Sequence, residues 1–212
     1  TLKDFLENRS IEEVHVKSIT AKHPDVPVND RGRFAGMAHP SVINDLKERG
    51  ITTVEIMPFQ PPSVAEHLGK QGKKNYWGYD TVNFMAVNPE YGDIEDLAKM
   101  IKTYKANGIE VIADVAFHTG EGGPGGQSLG YKGSDYLGYY KINDESVAAA
   151  EARGEFGRGR KFDDKSVPDD CTGCGNSLDF NKPAMQKLFK RALGLYVDMG
   201  IAGFRYDLAS SN

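Results

Sequence analysis

Residues 104–115 read Tyr-Lys-Ala-Asn-Gly-Ile-Glu-Val-Ile-Ala-Asp-Val and change character at Gly108. Before the glycine, apolar residues recur at helical spacing from Leu97 to Tyr104, behind an N-cap candidate at Asp93. After the glycine comes an apolar run rich in β-branched residues. Glycine suits the left-handed position just past a helix C-terminus, where a Cβ would be penalised. The stretch therefore predicts a helix that ends at a glycine and leads directly into a strand.

The same pattern occurs on both sides of this stretch. Residues 46–57 and 197–208 each carry the end of an amphipathic helix, a glycine, an isoleucine and an apolar run. The helix before the last run is predicted to begin near Asn181 and Pro183, and an earlier strand is predicted at Ile11–Val16. Strands that alternate with helices predict a parallel α/β sheet, either open or closed into a barrel.

Two connections, residues 58–91 and residues 120–178, are too long to be simple connectors. Both follow predicted strands, whereas the helix-to-strand turns are short. In (β/α)8 barrels the loops at the carboxyl ends of the strands build the active site. The asymmetry therefore indicates a barrel with one functional end. A complete barrel needs eight units and about 250 residues, so we expect roughly the first half of a barrel, taken from a longer protein.

Composition gives no support to several classes of protein. The chain has 212 residues and a net charge of −4, which gives no support to nucleic-acid or anionic-membrane binding. No apolar run approaches the ~20 residues that cross a bilayer. Cys171 and Cys174 make no disulfide framework and offer half of the ligands of a structural zinc site. We predict a cytoplasmic protein.

Charged residues interrupt two of the predicted strands. Arg205 and Asp207 are two apart on a strand, so they share a face about 7 Å apart. A neighbouring guanidinium favours the charged form of a carboxylate, which suits a nucleophile better than a proton donor. Asp114 lies in an apolar strand, with His118 just past its end. A buried carboxylate needs a partner, and Arg205 is the natural one. The alternative reading of these residues is a structural salt bridge and a loop histidine.

Residues 75–80 read Asn-Tyr-Trp-Gly-Tyr-Asp and hold the single tryptophan of the chain, Trp77. They lie in a predicted loop at the same end of the sheet as Asp114 and Arg205. Aromatic rings in such a loop suit stacking on the apolar faces of sugars. The alternative is an aromatic cluster that only anchors the loop.

Taken together these stretches resemble the α-amylase superfamily of glycoside hydrolases, and most of all its isoamylase or glycogen-debranching branch. The motifs that carry the resemblance occur in family order at residues 13–16, 46–51, 75–79, 112–119, 175–178 and 203–209.

The resemblance implies a (β/α)8 barrel of the TIM-barrel type with a small subdomain in its third βα loop. The expected division is 1–119 for the first part of the barrel, 120–178 for the inserted subdomain and 179–212 for the barrel through strand 4. The implied substrate is an α-glucan such as glycogen or starch, which is expected to be cleaved at its α-1,6 branch points.

The resemblance also implies residue roles. Asp207 would be the nucleophile and Arg205 its positioning cation. Asp114 and His118 would contact the sugar at the cleavage point, and Tyr79 would stack beneath it; we add Trp77 as a substrate-binding residue. Retaining glycosidases need a second, protonated carboxyl about 5–5.5 Å from the nucleophile.

The chain departs from the family in two places. Its third-strand motif reads Asp-Val-Ala-Phe-His-Thr, where the family usually has Asp-Val-Val-Tyr-Asn-His. Because that asparagine is often a calcium ligand, we predict neither calcium nor any other cofactor. The family's general acid comes from later strands, so we expect these residues alone to be inactive.

Two other functions stay open. The chain could belong to an α-1,4 hydrolase, a branching transferase or a trehalose-forming relative. It could instead be a non-catalytic module that binds glucan or pairs with a partner. Half a barrel would leave the strands Ile11–Val16 and Phe204–Leu208 at its edges, which favours self-association.

Overall fold

The computed structural model describes residues 7–64, 66–117, 139–141 and 177–208. Four strands form one sheet: β1 (Ile11–Val14), β2 (Thr53–Ile56), β3 (Glu110–Val115) and β4 (Gly203–Tyr206). Their order in the sheet is their order in the chain, β1-β2-β3-β4. The pairs β1–β2 and β2–β3 are parallel, and Ile56 lies between Val14 and Ala113 in register. A sheet that keeps the chain order is that of a barrel, because a doubly wound sheet reverses direction at its centre.

Helices connect these strands, as the alternating pattern predicts. In chain order they are a 3-10 helix (Val28–Asp30), α1 (Phe34–Met37), α2 (Pro40–Glu48), α3 (Glu66–Gly69), α4 (Ile94–Ala106) and α5 (Pro183–Met199). None of the helices in the described part of the chain is long and apolar enough to span a membrane.

Helix α4 shows how the local sequence sets an element's ends. The Asp93 carboxylate accepts a hydrogen bond from the backbone N–H of Asp96 at 2.8 Å, and the Asp96 carboxylate accepts one from the N–H of Asp93 at 3.2 Å. This reciprocal capping box satisfies two backbone donors at the helix start. The predicted N-cap at Asp93 is confirmed. The buried stripe Leu97, Met100 and Tyr104 is the one that the spacing predicts.

The three helix-ending glycines behave as predicted. Gly50, Gly108 and Gly200 have φ values of 71°, 76° and 105°. An added Cβ would meet nothing within 4 Å at Gly50 or Gly108. At those two positions the backbone conformation, and not crowding, is therefore the reason for glycine.

Two strands are shorter than predicted. β1 ends at Val14 instead of Val16, because the His15 ring Nδ1 accepts hydrogen bonds from the backbone N–H groups of Lys17 (3.2 Å) and Ser18 (3.3 Å), which turns the chain. β4 ends at Tyr206 instead of Leu208, and Leu208 has a φ of 48°, which no extended strand accommodates.

The chain forms two compact units. The first contains Thr1–Pro61, Met85–Val115 and Leu193–Arg205, and therefore the sheet except for the last residue of β4; the second contains Pro62–Phe84, Ala116–Ala192 and Tyr206–Asn212. Within the first, Phe34, Phe59 and Tyr196 pack edge to face, with ring centroids 6.3 Å and 5.3 Å apart along the row. Most of the predicted subdomain 120–178, including Cys171 and Cys174, lies outside the described residues, as does His118.

Candidate active site

Four charged side chains from the four strands meet in the first compact unit. Glu13 of β1 is in register with Glu55 of β2, and Glu55 is in register with Ile112 of β3. Asp114 is two residues beyond Ile112, so its side chain points to the same face of the sheet. One carboxylate oxygen from each of Glu13, Glu55 and Asp114 lies within 4.8 Å of the others. We call these three acids and Arg205 of β4 the charged cluster.

Arg205 contacts acids on two strands, Asp114 of β3 and Glu55 of β2. Its terminal nitrogen donates a hydrogen bond to Asp114 Oδ2, and its Nε lies 3.7 Å from Glu55 Oε1. The Asp114 side chain is completely buried, whereas that of Arg205 is 43% exposed. The guanidinium thus contacts a buried carboxylate, while the Arg205 side chain is partly exposed to solvent. The pairing of Asp114 with Arg205 that the sequence predicts is present.

Glu55 is a member of the cluster that the sequence analysis missed. The pKa of its carboxyl group is raised, mainly by burial. The charge of Arg205 lowers this pKa, whereas the nearby Asp114 and Glu13 raise it. The signal was available, because an acid stands between Val54 and Ile56 in a buried strand. It is the same signal that identified Asp114 on the next strand.

The three carboxylates of the charged cluster could serve as oxygen ligands for a hard cation such as Ca²⁺. Arg205, however, contacts two of the three and supplies a compensating positive charge. A guanidinium in this position competes with a cation for the same oxygens. We therefore describe the cluster as an ion-pair network and assign no metal to it.

In the second compact unit, the aromatic loop (residues 75–80) presents its rings to different extents. Trp77 is 62% exposed and Tyr76 is 48% exposed, whereas Tyr79 is half-buried. Pro62 and Thr81 form an antiparallel bridge, which joins the two ends of the segment 62–81 that contains this loop. A loop that is closed at its base and carries an exposed indole is suited to stacking on a ligand.

Asp207, also in the second unit, is the first residue after β4 and is half-buried. The preceding ring, Tyr206, packs on Phe189 of α5 with centroids 6.0 Å apart. Phe189 in turn packs edge to face on Phe117 at 5.7 Å and on Phe180 at 5.0 Å. The aromatic row fixes the backbone immediately before the predicted nucleophile.

The structure therefore brings together two of the residues that the sequence singled out, Asp114 and Arg205, and adds Glu13 and Glu55 to them. It places Tyr79, Trp77 and Asp207 in the second compact unit.

Known proteins similar to this chain include two that are named after glycogen. The chain is 35% identical over 210 residues to a protein named "Glycogen operon protein GlgX homolog" from Mycobacterium tuberculosis, covering 95% of this chain and 27% of that protein. It is 36% identical over 212 residues to a glycogen debranching enzyme from Yersinia enterocolitica, covering 96% of this chain and 29% of that enzyme. The chain thus spans less than a third of the length of these relatives.

Solved structures resemble the fold. A pullulanase from Anoxybacillus sp. LM18-11, complexed with maltotetraose, superimposes with a TM-score of 0.71 at 21% identity, covering 96% of this chain and 29% of the pullulanase. The apo pullulanase from Paenibacillus barengoltzii gives a TM-score of 0.73 at 22% identity, covering 96% and 31%. This likeness confirms the predicted barrel-type fold.

The resemblance that the ordered motifs predict is also confirmed by the names of these relatives. The family model described as "Alpha amylase, catalytic domain" matches residues 29–212, which is most of the chain. The chain belongs to the α-amylase catalytic-domain family.

Proposed function

We propose that this chain is the first half of the catalytic barrel of a retaining glycoside hydrolase that cleaves α-1,6 branch points in α-glucans such as glycogen. The observation that carries the proposal is the contact of Arg205 with the buried Asp114. Arg205 stands two residues before Asp207 in the chain. The names of the relatives, glycogen debranching enzyme among them, support the choice of substrate and linkage.

In the proposed reaction Asp207 attacks the anomeric carbon. The bond from that carbon to the leaving glycosidic oxygen breaks, and a general acid outside these residues protonates the oxygen. Water then hydrolyses the glycosyl ester and restores the carboxylate of Asp207. Arg205 is the positioning cation. Asp114 and His118 contact the sugar at the cleavage point, with Tyr79 stacked beneath it and Trp77 on a neighbouring sugar.

The test uses the complete parent protein with Asp207→Asn and, as a matched control, Asp198→Asn on the exposed face of α5. Release of linear chains from amylopectin is the readout. We expect Asp207→Asn to lower kcat by about 10⁴-fold or more, as removal of a covalent nucleophile does, and the control to keep parental activity. Undiminished cleavage by Asp207→Asn would exclude the assigned nucleophile.

The products discriminate between the enzymes in the family. A debranching enzyme releases linear chains of many lengths and leaves α-1,4 bonds intact. An α-1,4 hydrolase releases short maltooligosaccharides, a branching transferase raises the number of α-1,6 bonds, and a trehalose-forming enzyme yields trehalose. Any of the last three product patterns from the parent protein would replace the debranching proposal.

A second candidate function is a module completed by a partner. The observation that favours it is the strand order, which leaves β1 and β4 at the edges of the described sheet. Static light scattering of the chain decides it, since a dimer at micromolar concentration supports edge pairing and a monomer excludes it.

We also retain two further proposals. The division into 1–119, 120–178 and 179–212 predicts that limited proteolysis cuts first near the limits of the middle segment. A cytoplasmic location is supported by the presence of only two cysteines, and it is tested by fractionation of cells that express the parent protein.

A further inference from the structure

The aromatic loop is organised around a single side-chain amide, that of Asn75. Its Nδ2 donates to the backbone carbonyl of Ser63 at 3.1 Å and to Asp80 Oδ2 at 2.9 Å. Its Oδ1 accepts from the backbone N–H of Gly78 at 3.0 Å. One amide thus uses its donors and its acceptor to connect Gly78, Asp80 at the end of the loop, and Ser63 beside the Pro62–Thr81 bridge.

The contact with Gly78 sets the direction of the chain between the two rings of interest. Gly78 lies between Trp77 and Tyr79, is buried and has a φ of 86°, a left-handed backbone conformation that favours glycine. The hydrogen bond to Asn75 Oδ1 holds this residue from one side. The base of the loop is closed independently by the hydrogen bond from Ser63 N–H to the Asp80 carbonyl at 2.7 Å.

We propose that Asn75 is a positioning residue: its amide fixes residues 76–79 in the conformation in which Trp77 and Tyr79 contact the glucan. This inference rests on the proposed function, because the ligand is the one proposed there. Asn75 touches no reacting atom and acts only through the two rings.

The contact between residues 75 and 80 requires one amide facing one carboxylate, and not merely two small polar groups. In Asn75→Asp the side chain has the same shape and still accepts from the N–H of Gly78. It can no longer donate to the carbonyl of Ser63, and it places a second carboxylate against that of Asp80. Adding Asp80→Asn to this variant removes the repulsion and reverses the hydrogen bond, with the new amide as the donor.

The first readout is the fluorescence of Trp77, which is the only tryptophan in the chain and therefore the only source of indole emission. We expect Asn75→Asp to lower the steady-state anisotropy of this emission, because the loop is no longer held. The double variant should recover most of the anisotropy of the unsubstituted 212-residue chain. Asn44→Asp, the same chemical change at an exposed position of α2, should leave it unchanged.

The second readout is the binding of maltotetraose, followed by the change in the same emission. We expect Asn75→Asp to weaken binding about tenfold and the double variant to bind nearly as the parent does, since one lost hydrogen bond to a charged group has about that effect. In the parent protein the same variant should raise KM with little change in kcat, which a general loss of folded protein would not do.

The outcomes separate the two proposals. If maltotetraose leaves Trp77 emission of the parent chain unaltered, the proposed role of the ring in binding is wrong, and anisotropy still decides whether Asn75 holds the loop. If Asn75→Asp keeps both parental anisotropy and parental affinity, the positioning role is overturned. Should Asn75→Asp fail to fold, recovery of folding and anisotropy in the double variant supports the proposal, and no recovery overturns it.

Discussion

At the scale of single residues, the buried carboxylate of Asp114 requires a partner that compensates its charge. Its side chain is completely buried in β3, and the guanidinium of Arg205 contacts one of its oxygens. Taking a carboxylate out of water costs several kcal/mol unless a partner replaces the lost hydration. The stability of β3 and the identity of residue 205 are therefore coupled.

We expect Arg205→Met to lower the free energy of unfolding by about 1–3 kcal/mol. Breaking a fully buried pair costs about 3–5 kcal/mol, and the figure is reduced here because the Arg205 side chain is 43% exposed. Chemical denaturation of Arg205→Met beside Arg191→Met, which lies on an exposed position of α5, measures the difference. Equal stabilities of the two variants would contradict the assigned pairing.

Glu55 predicts a pH dependence of stability. Its carboxyl pKa is raised above the ordinary value of 4.5, mainly by burial, so between 4.5 and its folded-state pKa the folded protein binds more protons than the unfolded one. The free energy of unfolding therefore falls as pH rises through this window. The stabilisation is fully present below the unfolded-state pKa and is lost above the folded-state pKa.

In Glu55→Gln this part of the pH dependence should disappear. The unfolding midpoint of the variant, minus that of the parent, should rise as pH increases from 4 to 7. Glu48→Gln, an exposed change at the end of α2, is the control and should run parallel to the parent. A pH-independent difference for Glu55→Gln would refute the raised pKa.

At the scale of elements, helix α4 depends on its capping box. Asp93→Ala removes the acceptor for the N–H of Asp96 and is expected to cost about 1 kcal/mol of unfolding free energy. Lys102→Ala, at an exposed position in the middle of the same helix, should change stability by less than about 0.5 kcal/mol. Equal losses in the two variants would mean that the cap contributes nothing beyond helix propensity.

Two glycines next to helices should respond to alanine in opposite directions. Gly108 has a φ of 76° with open space around its missing Cβ, so Gly108→Ala is expected to destabilise by about 1 kcal/mol through backbone strain alone. Gly194 lies inside α5, also with nothing within 4 Å of an added Cβ. Gly194→Ala should stabilise by about 0.5–1 kcal/mol. Thermal unfolding of both variants tests the pair, and the same sign for both would reject the argument.

At the scale of the whole molecule, the chain carries a proposed nucleophile and no assigned general acid. A retaining glycosidase needs both carboxyl groups, so we expect the 212-residue chain to release no reducing ends from glycogen or pullulan. Reducing-end assays with the parent protein as the positive control measure this. Turnover by the chain alone would show that it contains a second functional carboxyl group.

The sequence by itself determined the elements and their alternation. The apolar stripe of α4, its cap at Asp93 and the glycines at the helix ends are local features, and each follows from the preferences of residues a few positions apart. The acid inside an apolar strand marked Asp114, and the need to compensate its charge marked Arg205. The strand ends were less well predicted, because the turn after β1 depends on the ring of His15 accepting backbone N–H groups.

The tertiary structure decided what meets what. Glu13 and Glu55 join Asp114 only because the register between β1, β2 and β3 aligns them on one face, and register is a relation between residues about 40 to 60 positions apart in the chain. One of the three hydrogen bonds of Asn75 likewise connects the loop to Ser63, which the motif at 75–80 does not contain. Composition and periodicity report which face of an element is buried, whereas the partner across that face is fixed by the packing of the whole chain.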